Sequence, residues 1–434
     1  MSAPRYQLAS FVKIAFETPS DFSHFFGYYN YSPLSADGRS LLCHRVDFDG
    51  RDIKENDVAE VGWFGLKTGV WHLLGKTRAF NWQQGAMLQW LGPDFQKQVA
   101  YNDVEDNHFV TRIVSVDENP VRTLPYPVYG ITPDGKQSIT LEFERSYWCR
   151  AYHYESVRNP KWNVPVPLED GVFLVDIESG VRRRIISLQQ VMDFDRQECF
   201  DEKSHWIEHI MLNPSGKRFA FYHRFGQGHE FQTRVLTAGL DGRSIFLCPG
   251  WTDNQCSHLG WKNDKEFVLF SYKKALVGRI HAVVQKRRGV GQRVLRYWRQ
   301  FMKPWVPQRV RTGLMVNTSY QLFQDCYGPI GRYSKGRLST DGHPSFTSDG
   351  RFMLTDTYAD RDGNRHLLLY DTRSEKLYEL GRFYSPFNNC GYRCDLHPRF
   401  SRDEQSVIID TAHSGKHQVL MLEIKWNLLG CTPA

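Results

Sequence analysis

The stretch Glu208-His209-Ile210-Met211-Leu212-Asn213-Pro214-Ser215-Gly216, followed by Arg218-Phe219-Ala220-Phe221, decides the fold. It reads as a strand, a tight turn and a returning strand, because Asn, Pro, Ser and Gly tolerate turn backbone and the flanking runs are apolar. The device recurs at Ser35-Ala36-Asp37-Gly38, Gly92-Pro93-Asp94, Thr132-Pro133-Asp134-Gly135, Lys262-Asn263-Asp264, Thr347-Ser348-Asp349-Gly350 and Ser401-Arg402-Asp403. Short β-rich runs such as Ser40-Leu41-Leu42-Cys43 and Phe267-Val268-Leu269-Phe270 follow. Seven such hairpins at long spacing predict an all-β, seven-bladed β-propeller, each turn joining the first two strands of a blade. Four residues ahead of four of these turns stand His209, His258, His343 and His397. Equal register in the blades predicts four imidazoles at one height around the central channel.

A chain of 434 residues suits one such ring, and residues 1–434 are read as a single propeller domain. The longest steps between turns, Thr132 to Asn213 and Lys262 to Thr347, place large insertions in blades three and five. Residues 187–204 read as a short helix and loop, and Tyr6 to Phe16 as a strand that closes the last blade. The insertion in blade five, residues 284–312, carries Val290, Val294, Trp298, Phe301 and Trp305 at steps of three or four, the stripe of an amphipathic helix. Its other face is basic: nine Lys and Arg between Lys286 and Arg311, with no acid, account for more than the whole net charge of +7. The rest of the chain is near neutral, so no nucleic-acid partner is expected. A basic helix with Trp and Phe on its apolar side predicts a peripheral anchor on an anionic membrane through residues 286–311. Docking to a partner protein and packing on the propeller are the alternatives.

No stretch has the apolar length of a membrane span, and Met1 to Asp21 lacks a signal-peptide core. Nine cysteines, an odd number without framework spacing, point to reduced thiols and a cytoplasmic location, peripheral on the inner membrane if the anchor holds. Cys256, Cys390 and Cys394 lie close to the histidines and read either as thiolate ligands or as buried structural residues.

Neutral imidazole is a preferred ligand of divalent ions. The four histidines, with Asp341 as an oxygen ligand, therefore form a candidate site for a divalent metal such as Mn, Zn or Ca. A metal-free catalytic role and a hydrated structural ring are the alternatives. Around the expected channel mouth stand Tyr28, Tyr29, Gln83, Gln84, Tyr126, Tyr129, Tyr392 and Arg393. Aromatic faces stack on sugar rings, and Arg and Gln bind carboxylates and hydroxyls, which makes these candidate substrate-binding residues.

The segments Glu208 to Pro214, Phe221-Tyr222-His223, Arg234, Asp241-Gly242, Ser257-His258-Leu259-Gly260-Trp261 and His343-Pro344-Ser345-Phe346 resemble the oligogalacturonate lyases over about residues 205–410. That resemblance implies a seven-bladed propeller that cleaves uronic-acid oligosaccharides by β-elimination with a divalent ion in the channel. It also implies that His258 and His343 are metal ligands and Arg234 the proton-abstracting residue. The chain departs from the family at Asp341, where the lyases have a further histidine, and at Leu338, where they have glutamine. The N-terminal segments Phe25-Phe26-Gly27-Tyr28-Tyr29 and Asn81-Trp82-Gln83-Gln84-Gly85 resemble instead uncharacterised propellers associated with bacterial surface-polysaccharide synthesis.

Uronate β-elimination requires charge neutralisation at the carboxylate, a base at C5 and a donor for the departing O4. The histidines with Asp341 would serve the first, Arg234 or His223 the second, and Tyr28, Tyr29 or Tyr392 the third. The rival expectation is a non-catalytic glycan-binding or scaffold propeller that holds an acidic oligo- or polysaccharide at a membrane.

Overall fold

The computed structural model describes residues 5–430 apart from 118–120, 146–153, 162, 228–229, 251–253, 275–315, 334–336 and 389–390. Seven antiparallel sheets follow one another along the chain, six of four strands and one of five. Blade one is typical: Ser23–Phe25, Ser40–Val46, Ala59–Gly65 and Trp71–Thr77 pair in sequence order, from the channel outward. This is the seven-bladed propeller that the repeated turns predict.

Four of the seven turns share one local chemistry. Ser35, Thr132, Thr347 and Ser401 each donate a side-chain hydrogen bond to the Asp two residues on, at 2.5 to 2.8 Å. The Asp then accepts a backbone N–H of the returning strand, as Asp134 does from Lys136 at 3.1 Å. Short polar side chains thus supply the bonds that the ladder lacks at its reversal.

Both ends of the chain close the ring. Val12–Glu17 pairs with Gln418–Ile424 as the outermost strand of blade seven, while Tyr6–Leu8 adds a fifth strand beside Lys376–Tyr384 in blade six. The closing strand expected across Tyr6 to Phe16 is therefore divided between two blades. Between blades the sheets bury apolar faces: every residue of Phe352–Asp356 and of Ser406–Thr411 is buried.

In blade three the expected helix is Leu188–Asp193, capped by Ser187 and Gln190 in a reciprocal box. The basic segment 284–312 lies outside the described residues. Its flanking strands, Glu266–Lys274 and Val316–Gln324, pair directly, so it joins the second and third strands of blade five. Among the described residues no helix is long and apolar enough to cross a membrane.

Candidate functional site

None of the four histidines sits in a regular ladder. Pairing in blade four skips from Glu208 to Met211, and in blade five from Cys256 to Leu259, leaving His209 and His258 in bulges. His343 and His397 precede the short innermost strands Ser345–Phe346 and Arg399–Phe400. His209 and His397 hold left-handed backbone, with φ of 53° and 44°. That conformation costs a non-glycine residue about 1–3 kcal/mol and clusters at functional sites.

The result is a tight group of rings. His258 and His343 lie 4.1 Å apart by centroid, and His343 and His397 4.3 Å. His209 joins through Tyr28, whose ring stacks on it at 5.3 Å and meets His397 edge-on at 5.4 Å. Each ring of the trio is oriented by an acceptor at Nδ1. Asp341 takes His258 at 3.0 Å, Asp356 takes His343 at 2.8 Å, and the Gly27 carbonyl takes His397 at 2.9 Å. Asp356 also accepts the backbone N–H groups of His343, Leu396 and His397, tying blades six and seven together.

A strap from blade one forms the floor. Phe26 N–H donates to Asp410 of blade seven at 2.8 Å, and Gly27 lies against the Gln84 carbonyl of blade two. Tyr28 covers His209 of blade four. Tyr29 donates to the Leu259 carbonyl of blade five at 2.6 Å and contacts His343 of blade six at 5.1 Å. Tyr31 donates to the Tyr129 carbonyl of blade three at 2.5 Å. Phe26 to Tyr31 therefore touch all six other blades. Beyond the strap, at the turn ends, is a cavity of about 440 Å³ lined by Tyr29, Trp261, Phe346 and Arg402 among others.

The remaining expected site residues fall into two groups. Gln84 donates to the Tyr129 hydroxyl at 2.8 Å, and Gln83 to the Arg393 carbonyl at 2.7 Å, so these bind the mouth loops of blades two, three and seven. Tyr28 and Tyr29, expected at the mouth, are the floor instead. Tyr392 packs on Phe387 at 6.1 Å. Tyr126 is elsewhere, under the Arg182 guanidinium in a groove with Glu105, His108 and Glu142.

His223 and Arg234 pair across adjacent strands of blade four. Their neighbour Tyr222 faces the cup, 5.1 Å from His209, and successive strand residues point to opposite faces. Accordingly, Arg234 donates to the carbonyls of Val191 and Phe194 and lies over the Phe200 ring, while His223 bonds His205 at 2.9 Å. Burial lowers the Arg234 guanidinium to about 10, and burial followed by the charge of Arg234 keeps the His223 imidazole neutral, well below its ordinary value.

Asp341, expected as a metal ligand, is engaged by Ser257 Oγ at 2.6 Å and His258 Nδ1, the position of a carboxylate that orients a ligand. The carboxylate grouped with two of the histidines is Asp395: one atom each of His343, Asp395 and His397 lies within 4.8 Å of the others. Burial raises the Asp395 carboxyl, but Arg393, Arg365 and the two histidines outweigh it and hold it well below the usual carboxylate range. Burial lowers the His343 imidazole, and Asp356, Asp395 and Asp341 together reverse that and raise it. His397 is pushed well down by burial and by the charge of His343. The site therefore favours one positive charge among its acids.

These residues suit a divalent ion. The Nε2 of His397 is buried with no protein hydrogen-bond partner while its Nδ1 is held. Four carboxylates, Asp341, Asp356, Asp395 and Asp410, stand against three guanidiniums, Arg365, Arg393 and Arg399. His343, Asp395 and His397 would be the direct donors to such an ion, with His258 adjacent.

Over its whole length the chain is similar to an oligogalacturonate lyase solved in complex with manganese, at a TM-score of 0.64 and 16% identity, covering 99% of this chain and 100% of the other. An oligogalacturonate lyase from Vibrio parahaemolyticus gives 0.60 and 13%, covering 97% and 96%. The chain shares their fold. No protein-family model and no curated protein matches the sequence.

Proposed function

We propose that this propeller binds a divalent ion in its histidine cup and cleaves uronic-acid-containing oligosaccharides by β-elimination. The observation that carries the reading is the trio His258, His343 and His397, each oriented through Nδ1, with Asp395 among them. An ion held there would neutralise the uronate carboxylate and so acidify the neighbouring C5–H. The base takes that proton, its electron pair forms the C4–C5 double bond, and the C4–O4 bond breaks as the leaving oxygen acquires a proton.

Of the expected proton-handling residues, Tyr28 and Tyr29 are the ones against the histidine rings. We assign the base role to Tyr28 rather than to Arg234 or His223, which serve the opposite face of blade four. Metal-loaded protein with oligogalacturonate should generate the ultraviolet absorbance of an unsaturated uronate. Tyr28→Phe should slow it by about 10²-fold or more while manganese stays bound. An undiminished rate in Tyr28→Phe removes that residue from the chemistry.

The placement of Arg234 against Val191, Phe194 and Phe200, on the face of blade four opposite Tyr222, favours a second reading, a propeller that holds an acidic glycan without cutting it. Sugar binding with no new chromophore in the same assay selects it. In either case we propose that the basic segment 286–311 rests on an anionic membrane. Co-sedimentation with anionic vesicles should weaken with salt and vanish on deleting that segment. Indifference of the intact protein to such vesicles at low salt rejects the anchor.

A further inference from the structure

The cavity of about 440 Å³ at the turn ends lies on the far side of Tyr29 from the histidines, and its charge balance is unlike that of the cup. Among the described residues that line it stand three cations, Lys262, Arg399 and Arg402, against one acid, Glu404. Two of the cations are matched by acids that do not line the cavity: Lys262 by Glu266 at 2.9 Å, and Arg399 by Asp410. Arg402, in the turn of blade seven, has neither an acid partner nor a hydrogen bond among the described residues. Its guanidinium lies instead over the Phe95 ring of blade two, at 3.9 Å. Partial burial lowers that guanidinium from its ordinary value, with no acid to offset it. A guanidinium stacked flat on a ring keeps its planar fork of donors, the geometry that matches an oxyanion.

The same cavity holds unmatched oxygens. Glu404 is only 8% exposed; its Oε1 accepts the Ser348 N–H, and its Oε2 is buried without a partner. Ser32 Oγ is likewise buried and unpartnered. Buried acceptors left unmatched are costly, and ligand hydroxyls would satisfy them. The other walls are aromatic. Tyr29 and Tyr31 direct their hydroxyls to the carbonyls of Leu259 and Tyr129, and Phe346 offers a half-buried ring. Apolar walls with a few convergent polar groups are the usual make-up of a small-molecule site.

We propose that this cavity is a second ligand site, one that takes a sugar-sized ring bearing a single oxyanion. The oxyanion meets Arg402, ring hydroxyls meet Glu404 and Ser32, and the ring face lies against Phe346. The site depends on neither the ion nor the chemistry assigned to the cup. Sugar phosphates and sugar acids share the required chemistry, so D-glucose 6-phosphate and D-glucuronate probe it in turn, with D-glucose as the neutral control. Calorimetry on metal-free protein keeps the cup's ion out of the measurement. At least one anionic sugar should bind about tenfold or more tightly than glucose, and the tighter of the two identifies the oxyanion. Inorganic phosphate and acetate should each bind at least about tenfold more weakly than that sugar. Arg402→Gln should reduce the preference over glucose to about twofold, and Phe346→Leu should weaken the preferred sugar about fivefold, both with unchanged melting temperature.

A wild type that binds neither anionic sugar overturns the assignment, as does one that binds glucose equally well. So does a preference that persists in Arg402→Gln, or wild-type affinity in Phe346→Leu. Inorganic phosphate or acetate bound as tightly as the sugar would leave a bare anion contact and equally overturn it. Binding with these preferences, but no elimination of oligogalacturonate, would reject the lyase reading and leave the second site standing.

Discussion

Replacing Gly27 by alanine should both destabilise the propeller and disable the cup, because one backbone position holds the floor and orients His397. Gly27 has φ of +133°, a region that favours glycine. A methyl group there would lie 2.7 Å from the Gln84 carbonyl oxygen and 2.8 Å from its carbon. Those atoms are backbone and cannot rotate away. Gln84 is itself pinned, since its N–H and that of Gln83 both donate to Asn81 Oδ1. Unfavourable φ costs about 1–2 kcal/mol and overpacking about 1–3. A loss of roughly 2–5 kcal/mol is expected, a large share of the 5–15 kcal/mol typical of a folded domain. Displacing the strap also moves the Gly27 carbonyl from His397 Nδ1, for which a drop in metal affinity of about 10–100-fold is expected. Denaturant unfolding and a manganese titration, run on Gly27→Ala and on Gly38→Ala, decide the matter. Gly38 has φ of +67° and nothing within 4 Å of the added carbon, so its variant should lose only about 1 kcal/mol and bind metal normally. A Gly27→Ala protein no less stable than Gly38→Ala would refute the reasoning.

Asp356→Asn should lower metal affinity by about 10–100-fold, read by titration, because the carboxylate fixes the His343 ring and three backbone amides at once. Arg234→Met should cost about 2–4 kcal/mol in denaturant unfolding, by orphaning the carbonyls of Val191 and Phe194, yet alter elimination by less than about threefold. His44 accepts the Ala86 N–H through Nε2, and burial lowers its imidazole from 6.5 to about 4. Its folded value lies below the unfolded one, so its contribution is complete above pH 6.5 and is lost as pH falls through about 4. About 3 kcal/mol should go over that window, and His44→Gln should flatten the slope of stability against pH.

The register of the histidines was legible because the turn after each is a local signal with a fixed offset. Their convergence depends on bulges at His209 and His258 and on left-handed backbone at His209 and His397, for which no residue-type signal exists. Asp356 and Asp395 were not singled out, since an acid's partners come from other blades: Asp356 serves blade seven and Asp395 meets Arg365 of blade six. Strand alternation was the rule that separated Tyr222 from His223, and resemblance alone carried Arg234 toward the channel. Tyr28 and Tyr29 were legible as residues near the histidines but not as a floor, because a strap that touches six blades leaves no periodic trace.

Manganese titration of the purified protein, with His343→Ala alongside, tests the central claim most directly. The expected result is one saturable site per chain in the wild type, lost in His343→Ala with the propeller still folded by circular dichroism. Equal binding by both proteins, or none by either, would contradict a metal site in the histidine cup.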